Sequence, residues 1–505
     1  MGYLLGIDLG TSSVRATLVA PEGDVVEIAA RQYPISIPRS DWAEQDPELW
    51  WQSTCEAIKE VMHKSGTAPK GIRALGLSGQ MHGLTLLDEA GKPIRPAVIW
   101  ADKRSQEECR EIRGLVDEKR LYSITGMPIA TGFFGVSLFW MKRHEPTAYD
   151  NVRIALLPKD YIRYRLTGEF ATDATDGSGT LIFDVRKRNW SQEIITSLGL
   201  RDDLLPEVLE SSEIAGVVSK VAAEETGLAP GTLVAAGGGD QAMGAIGAGI
   251  MDQGIVGSVL GTGGQMITSI QEPVFDPKQR IHTMCHAKED AWLLMGAILA
   301  GGLSLRWFKE NLGGVESLAG DMCGISPYEL LSMESEKVEP GCNGLVFLPY
   351  LAGERTPHMN PKARGCFVGL TLSHTKAHMA RAVMEGVTFA MKDCLCIFQD
   401  LGVPIKSIVC SGGGAKSPVW RQIQADVYGT RLAMLSNDEH SSYGAALIAG
   451  VASGVYEDVL ELRNKQVSNE HIIHPIEKNR PVYEKQYSVF RSLYPALEGA
   501  FEMLG

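Results

Sequence analysis

A short motif occurs twice in the chain, and its spacing constrains the fold more than any other feature of the sequence. Leu9-Gly10-Thr11 follows an apolar run that starts at Tyr3, and Leu260-Gly261-Thr262 follows a second apolar run that starts at Val256. Each run is typical of a buried strand. Because the copies lie half of the 505-residue chain apart, the spacing indicates a duplicated domain. A chain of this length also exceeds one hydrophobic core, so we expect α/β domains at residues 1–250 and 251–505 with a cleft between them.

The segment from Leu233 to Gly249, LVAAGGGDQAMGAIGAG, places one carboxylate at a glycine-rich junction. Three glycines before Asp240 allow the backbone to approach a bulky group, and the small residues after it are typical of a helix packed closely on another element. Two interpretations remain open for this segment alone. Asp240 either presents an acid to a ligand or caps its own helix.

Three further glycine turns accompany this junction, at Asp8 to Ser13, Gly261 to Gly264 and Gly412 to Ala415. None has the spacing Gly-x-x-x-x-Gly-Lys-Ser/Thr or Gly-x-Gly-x-x-Gly of a single nucleotide-binding loop. A nucleotide site would therefore be shared between the two domains. Phosphoryl transfer suits such a site, because it needs backbone donors around phosphates, a carboxylate that holds a metal, and an acid that aligns the attacking hydroxyl. Asp8 and Asp240 supply two acids.

Polar and aromatic residues gather where a predicted strand, Ile72 to Leu77, ends in the loop SGQMHG. The chain turns at Asp88 to Gly91 and returns to the same region with WADKR, Trp100 to Arg104. Ligands in open α/β sheets lie at the carboxyl ends of strands, so these loops are candidates for substrate binding. In contrast, we expect the carboxylates between Leu157 and Gly179 to form a solvated face beside a helix.

Composition narrows the classes of partner and the compartment. The formal net charge of -13 argues against duplex nucleic acid or an anionic membrane as a partner. Nine cysteines without a Cys-x-x-Cys pair argue against a zinc site or a disulfide framework. No basic leader precedes the first apolar run, and no apolar stretch approaches the length of a membrane span. We therefore expect a reducing, cytoplasmic location.

Taken together, these motifs resemble the FGGY family of carbohydrate kinases over nearly the whole chain. GIDLGTSSVRATLV resembles the first phosphate loop of the family, IVGSVLGTGGQMIT the second phosphate loop, and SIVCSGGGAKSPVWRQIQADVYG the adenosine loop. LVAAGGGDQAMGAIGAG and SSYGAALIAG resemble its connecting segments, and GERTPHMNPKARGCFVGL is similar to a further family stretch. The resemblance implies the duplicated, ribonuclease H-like fold of actin, hexokinase and the heat-shock ATPases, with catalysis in the cleft between the domains.

The resemblance also implies a role for each matching residue, with ATP and Mg²⁺ as cofactors. Asp240 would be the base for the sugar hydroxyl, and Asp8 the acid that positions Mg²⁺ and the γ-phosphate. Met81 and His82 would line the sugar, with Asp102 and Gln241 as further candidates. The remaining residues would bind ATP, the phosphates through Thr11, Ser12, Ser13, Thr262 and Gly263, and the adenosine end through Gly412, Gly413, Gly414 and Ala415.

The loop around Met81 and His82 bears on the substrate, since glycerol kinases carry Arg-Glu at this place. An apolar thioether and one imidazole favour a longer sugar, and the resemblance implies a ketopentose, with D-xylulose first. Val136-Ser137 and Asn360 depart from the family pattern, so D-ribulose, L-ribulose, a deoxy-ketose or a polyol remain alternatives. A chaperone, filament or exopolyphosphatase ATPase of the same superfold is the competing class. The sugar loop favours a kinase, whose partners would be sugar, ATP and, in a homodimer, a second copy.

Overall fold

The first half of the chain forms a mixed sheet around its glycine turns. The computed structural model describes residues 2–435, 440–462 and 467–504. In spatial order the sheet runs β5-β6-β4-β1-β2-β3, and a further short strand, β7, pairs with β4. The strands are β1 Tyr3–Leu9, β2 Ser13–Val19, β3 Val25–Gln32, β4 Ile72–Gly79, β5 Ile214–Val217, β6 Leu233–Ala235 and β7 Gly238–Gly239.

The second half repeats this sheet. Its order is β10-β11-β9-β8-β12-β13-β14. The strands are β8 Ile255–Leu260, β9 Gly264–Ile270, β10 His282–Cys285, β11 Trp292–Ile298, β12 Ser407–Ser411, β13 Leu432–Leu435 and β14 Val467–Ile473. In both halves the leading strand, β1 or β8, pairs antiparallel with the next strand and parallel with β4 or β12. The duplication inferred from the repeated Leu-Gly-Thr motif is therefore a duplication of sheet topology.

Seventeen α-helices lie in the described residues, and most pack on the faces of these sheets. In chain order they are α1 Pro47–Ser65, α2 Gln106–Leu115, α3 Glu118–Thr125, α4 Phe134–His144, α5 Pro146–Asp150, α6 Pro158–Thr167, α7 Ala174–Gly177, α8 Gln192–Ser197, α9 Lys220–Thr226, α10 Asp240–Gly247, α11 Gly302–Leu312, α12 Gly314–Cys323, α13 Pro327–Glu336, α14 Lys376–Asp400, α15 Pro418–Tyr428, α16 His440–Ala452 and α17 Arg480–Leu504.

Local sequence signals explain where the scaffold helices begin and end. The Asp46 side chain accepts the Glu48 backbone N–H at the start of α1, Pro47 occupies the first turn, and Gly66 ends the helix at φ 67°. In α14, apolar side chains recur at helical spacing between Met379 and Phe398, and most of the helix is buried against the second sheet.

Small residues allow α16 to join the two halves. This helix lies on the first sheet, where a Cβ atom at Gly6 or Gly76 would overlap the backbone carbonyl of Ser442 or Ala445. It also packs on α10, where a Cβ at Gly444 would overlap the Met243 carbonyl. The close helix packing predicted from the run of small residues after Asp240 is thus confirmed. Residues 440–452 belong to the second half in sequence but pack on the first sheet.

The predicted solvated face between Leu157 and Gly179 is wrong for its three aspartates, whereas Glu169 is exposed. Asp160, Asp173 and Asp176 are at most 1% exposed, and they surround the ammonium group of Lys159 on α6. The charge pattern of this segment looks polar along the sequence, yet residues 159, 173 and 176 meet only after the chain folds back through the short strand Ala171–Asp173. Opposite charges then compensate one another inside the protein.

Short ribbons complete the fold beside the cleft. They pair Glu44–Gln45 with Ala97–Val98, Thr85–Leu87 with Ile154–Leu156, Ala171–Asp173 with Glu207–Leu209, Phe183–Asp184 with Asn189–Trp190, and Val346–Leu348 with Cys366–Val368. Of the helices in the described parts of the chain, none combines the length and apolar character that crossing a membrane requires.

Candidate active site

A cavity of about 450 Å³ lies between the two sheets, and residues from both halves line it. Seven of the residues singled out from the sequence meet there: Thr11, Met81, His82, Asp240, Gln241, Thr262 and Gly263. The repeated Leu-Gly-Thr turns at the ends of β1 and β8 therefore contribute to one cavity. A site shared between domains, as the glycine spacings predicted, follows from this arrangement.

Asp240 is the first residue of α10 and follows directly on β7. Burial raises the pKa of its carboxyl to about 7, with a further contribution from the negative charge of Asp8. Gln241 Nε2 lies 3.4 Å from Asp240 Oδ1. A carboxyl that titrates near neutrality can take up a proton from a substrate hydroxyl under ordinary conditions.

Asp8 lies within strand β1, before the turn, and is not among the residues that line the cavity. Ser78 Oγ donates to Asp8 Oδ1 at 2.7 Å, and the Asp8 charge acts on the pKa of Asp240. Carboxylate oxygens are the ligands that a hard divalent cation prefers, so the chemistry of the Asp8 side chain fits a Mg²⁺ ion.

The His82 ring is fixed in the wall that the first half of the chain contributes to the cavity. Its Nδ1 donates to the carbonyl oxygen of Gly179 at 2.6 Å, and the ring stacks on Phe133 at 4.3 Å between centroids. Burial lowers the pKa of His82 to about 4, so the imidazole is neutral at pH 7. Because a carbonyl can only accept, Nδ1 carries the proton and Nε2 is left as a hydrogen-bond acceptor.

Met81 contacts the segment that leads to Asp240. A Cβ atom at Gly239 would lie 2.8 Å from Met81 Cγ, so glycine is required for this close approach. The thioether therefore gives the cavity an apolar wall next to the carboxyl of Asp240.

Backbone and side-chain hydrogen bonds hold the two phosphate loops. Trp100 Nε1 donates to Thr11 Oγ1 at 2.9 Å, and Gln45 Nε2 donates to the Thr11 carbonyl at 2.7 Å. In the second loop, the N–H groups of Gly302 and Leu303 at the start of α11 donate to Gly261 and Thr262. Ser12 is exposed and Ser13 half-buried in the first turn, where the Ser13 carbonyl accepts the Gly10 N–H.

The remaining predicted residues lie outside the cavity wall. Asp102 is 1% exposed, and its carboxylate accepts from the Arg104 guanidinium and from the Ala43 N–H. The segment Gly412–Ala415, which resembles the adenosine loop, follows β12; Gly412 has φ 83°, and a Cβ atom there would lie 2.7 Å from the Leu260 carbonyl oxygen. This contact places the adenosine loop beside the second phosphate loop. It also explains the need for glycine at 412.

Trp100, from the loop WADKR that was expected to bind substrate, supplies an aromatic wall from the first half. Sequence reasoning gave no role to Phe133 from the first half or to His282 and Arg355 from the second, which line the same cavity. Arg355 belongs to GERTPH, a stretch noted in the sequence without a function for its arginine. A charged residue inside a motif that resembles a kinase family was the available signal.

Comparison with known proteins agrees with this geometry. The N-terminal domain of the FGGY family of carbohydrate kinases matches residues 3–247, and its C-terminal domain matches residues 256–453. A xylulose kinase of Escherichia coli (strain K12) is 37% identical over 98% of this chain and 99% of its own, and a gluconokinase of Bacillus subtilis (strain 168) is 31% identical over 99% and 97%. The structure of a ligand-bound xylulose kinase from Lactobacillus acidophilus superposes with a TM-score of 0.92 at 26% identity, covering all of both chains. The chain belongs to the FGGY family of carbohydrate kinases.

Proposed function

We propose that this kinase transfers the γ-phosphoryl group of ATP to the terminal hydroxyl of a ketopentose, with D-xylulose as the preferred substrate. The observation that carries the proposal is one cavity in which Met81 and His82 face Asp240 beside both phosphate loops. The relatives that are named xylulose kinase support the choice of sugar.

In this proposal Asp240 acts on the attacking hydroxyl. A free sugar hydroxyl is a weak acid, so the carboxylate first aims the nucleophile and accepts its proton late in the transfer. The turns Thr11 to Ser13 and Gly261 to Gly263 would hold the phosphates. Asp8 would hold Mg²⁺, which when bound neutralises charge on the phosphates.

The pocket selects its sugar by shape and by one hydrogen-bond acceptor. Nε2 of the neutral His82 ring accepts from a sugar hydroxyl, and Met81 packs on the carbon chain. A sugar that cannot donate to His82 leaves a buried acceptor unpaired, at a cost of about 1–3 kcal/mol. This amount corresponds to roughly a ten- to hundredfold preference.

Arg355 favours a second candidate substrate, an aldonate such as D-gluconate. Its guanidinium faces the cavity, and a cation there would pair with the carboxylate that a ketose lacks. The gluconokinase relative supports this alternative.

A substrate panel decides between these candidates. ADP release is measured with D-xylulose, D-ribulose, L-ribulose, glycerol and D-gluconate at saturating ATP, and we expect the highest kcat/KM for D-xylulose. Glycerol in first place, or D-xylulose in last, would overturn the proposal. If D-gluconate leads, Arg355→Gln should reduce kcat/KM for gluconate more than for any neutral sugar.

A further inference from the structure

A group of five buried charged side chains lies behind the cavity, in α6 and in the turn that contains α7. Lys159 Nζ lies 2.5 Å from Asp160 Oδ1, 2.5 Å from Asp173 Oδ2 and 3.3 Å from Asp176 Oδ2, and Arg163 contacts Asp160 Oδ1 at 2.8 Å. We call these residues the buried charge cluster. Although the three carboxylates lie close enough to one another to share a cation, the Lys159 ammonium already occupies the space between them.

The cluster combines two cations with three carboxylates, and each of these side chains is at most 1% exposed. Burial raises the pKa of Asp176 well above its ordinary value, against the opposing charge of Lys159. Removing one member of such a buried group leaves an uncompensated charge, so every member is held in place.

Two hydrogen bonds connect this cluster to the glycine segment that precedes Asp240. Arg163 Nη1 donates to the Ala236 carbonyl at 2.7 Å, on the upstream side of the three glycines. On the downstream side, the Gly239 N–H donates to Thr175 Oγ1 at 2.9 Å, and Thr175 Oγ1 donates in turn to Asp173 Oδ1 at 2.5 Å. Because glycines have little conformational preference of their own, the path of residues 237–239 depends on outside contacts, and these two hydrogen bonds add to the pairing of β7 with β4.

Thr175 contacts the glycine segment through its hydroxyl group. A Cβ atom at Gly238 would lie 2.6 Å from Thr175 Oγ1, so the glycine allows the hydroxyl to reach the backbone. The same turn continues to Gly179, whose carbonyl holds the His82 ring. One short turn thus holds both the peptide before Asp240 and the imidazole on the sugar side.

We propose that Thr175 is a positioning residue for catalysis, whose hydroxyl links the buried charge cluster to the Gly239 N–H and so aims Asp240 at the sugar hydroxyl. This inference rests on the proposed role of Asp240 as the base. Loss of the link leaves the fold and the nucleotide site in place but lets the carboxylate move. A displacement of about 1 Å at a catalytic group can lower a rate by roughly a hundredfold.

The test compares Thr175→Val, which keeps the shape but removes the hydroxyl, with Thr175→Ser, which keeps the hydroxyl. Turnover is measured per nucleotide site, with sites counted by calorimetric titration with ADP. We expect Thr175→Val to lower kcat by about ten- to a hundredfold with little change in KM for ATP. Thr175→Ser should restore kcat to within about threefold of wild type, by the same positioning argument.

The matched control is Thr226→Val in α9, because Thr226 is also fully buried and donates to a backbone carbonyl, that of Ala222. It should leave kcat per site unchanged. If Thr175→Val does not fold, Thr175→Ala removes the same hydroxyl and is expected to show the same loss. A kcat per site in Thr175→Val or Thr175→Ala within about twofold of wild type would overturn the inference, as would an equal loss in Thr226→Val. Failure of the base assignment is detected separately, by normal turnover in Asp240→Asn.

Discussion

At the scale of single residues, Asp240 is placed for reactivity at the expense of stability. An ordinary carboxyl has a pKa near about 4, whereas burial and the Asp8 charge bring Asp240 to about 7. The position after three glycines would also serve a plain helix cap. The structure contradicts the cap, because Gly239 takes the N-cap position of α10 without a side-chain hydrogen bond and Asp240 lines the cavity.

Replacement of Asp240 by Asn should abolish most turnover. The amide keeps the shape of the side chain but cannot accept the proton of the sugar hydroxyl, so we expect kcat to fall at least about a hundredfold. ADP release with the best sugar of the panel measures this. Asp88→Asn is the control, since Asp88 caps a surface turn through the N–H groups of Ala90 and Lys92 and should retain full turnover.

The same substitution should raise stability at neutral pH in the absence of ligands. Since the pKa in the folded state lies above that of the unfolded chain, the unfolded chain ionises first, and wild type loses stability as pH rises from about 4 to about 7. We expect Asp240→Asn to exceed wild type by about 1–3 kcal/mol at pH 8 and to lose this advantage at pH 4. Thermal unfolding at the two pH values measures the difference. An advantage that is equal at both would contradict the raised pKa.

In the proposed function, His82 contributes to the choice of sugar and not to nucleotide binding. His82→Ala removes the only imidazole held by Gly179, so kcat/KM for the ketose should fall by about ten- to a hundredfold while the Kd for ADP changes little. His144→Ala removes a histidine that also stacks on an aromatic ring but lies on the surface, and it should be silent. Equal losses of sugar and nucleotide binding in His82→Ala would contradict the assignment.

At the scale of elements, the sequence predicts a feature well where neighbouring residues along the chain determine it. The glycine turns and the run of small residues that forms α10 each occupy consecutive residues, and both were predicted. The buried charge cluster was missed because its lysine and aspartates are separated in sequence and meet only in the fold. Helix α17 was also missed, although Tyr483, Tyr487, Phe490 and Tyr494 follow helical spacing and are buried.

The contact of α16 with the first sheet depends on a glycine in each of two strands. Gly76→Ala would drive a methyl group into the Ala445 carbonyl, and overpacking of this kind costs about 1–3 kcal/mol. Gly114→Ala in α2 is the matched control, because a Cβ atom there meets open space and alanine favours a helix by up to about 1 kcal/mol. Chemical denaturation should therefore show opposite signs. Equal stabilities would mean that the sheet and α16 move apart without cost.

At the scale of the whole molecule, the two halves contribute complementary parts of one site. Asp240, Met81 and His82 come from the first half, whereas the second phosphate loop and Arg355 come from the second. Such a division makes the distance between base and phosphate depend on the relative position of the halves. If the halves close on the proposed sugar contacts, Met81 and His82 of the first half, sugar binding controls this distance.

Closure on the sugar should therefore be detectable in two ways: the protein becomes more compact, and ATP hydrolysis depends on the presence of sugar. We expect ATP hydrolysis without sugar to be at least about a hundredfold slower than sugar phosphorylation, because closure brings Asp240 to the phosphate and excludes water. Small-angle scattering should show a smaller radius of gyration when sugar is added to the nucleotide complex. Asp240→Asn keeps the Met81 and His82 contacts, so it should still compact while failing to turn over. An unchanged radius with both substrates bound, or hydrolysis as fast as phosphorylation, would show that the halves do not need to move for the chemistry to occur.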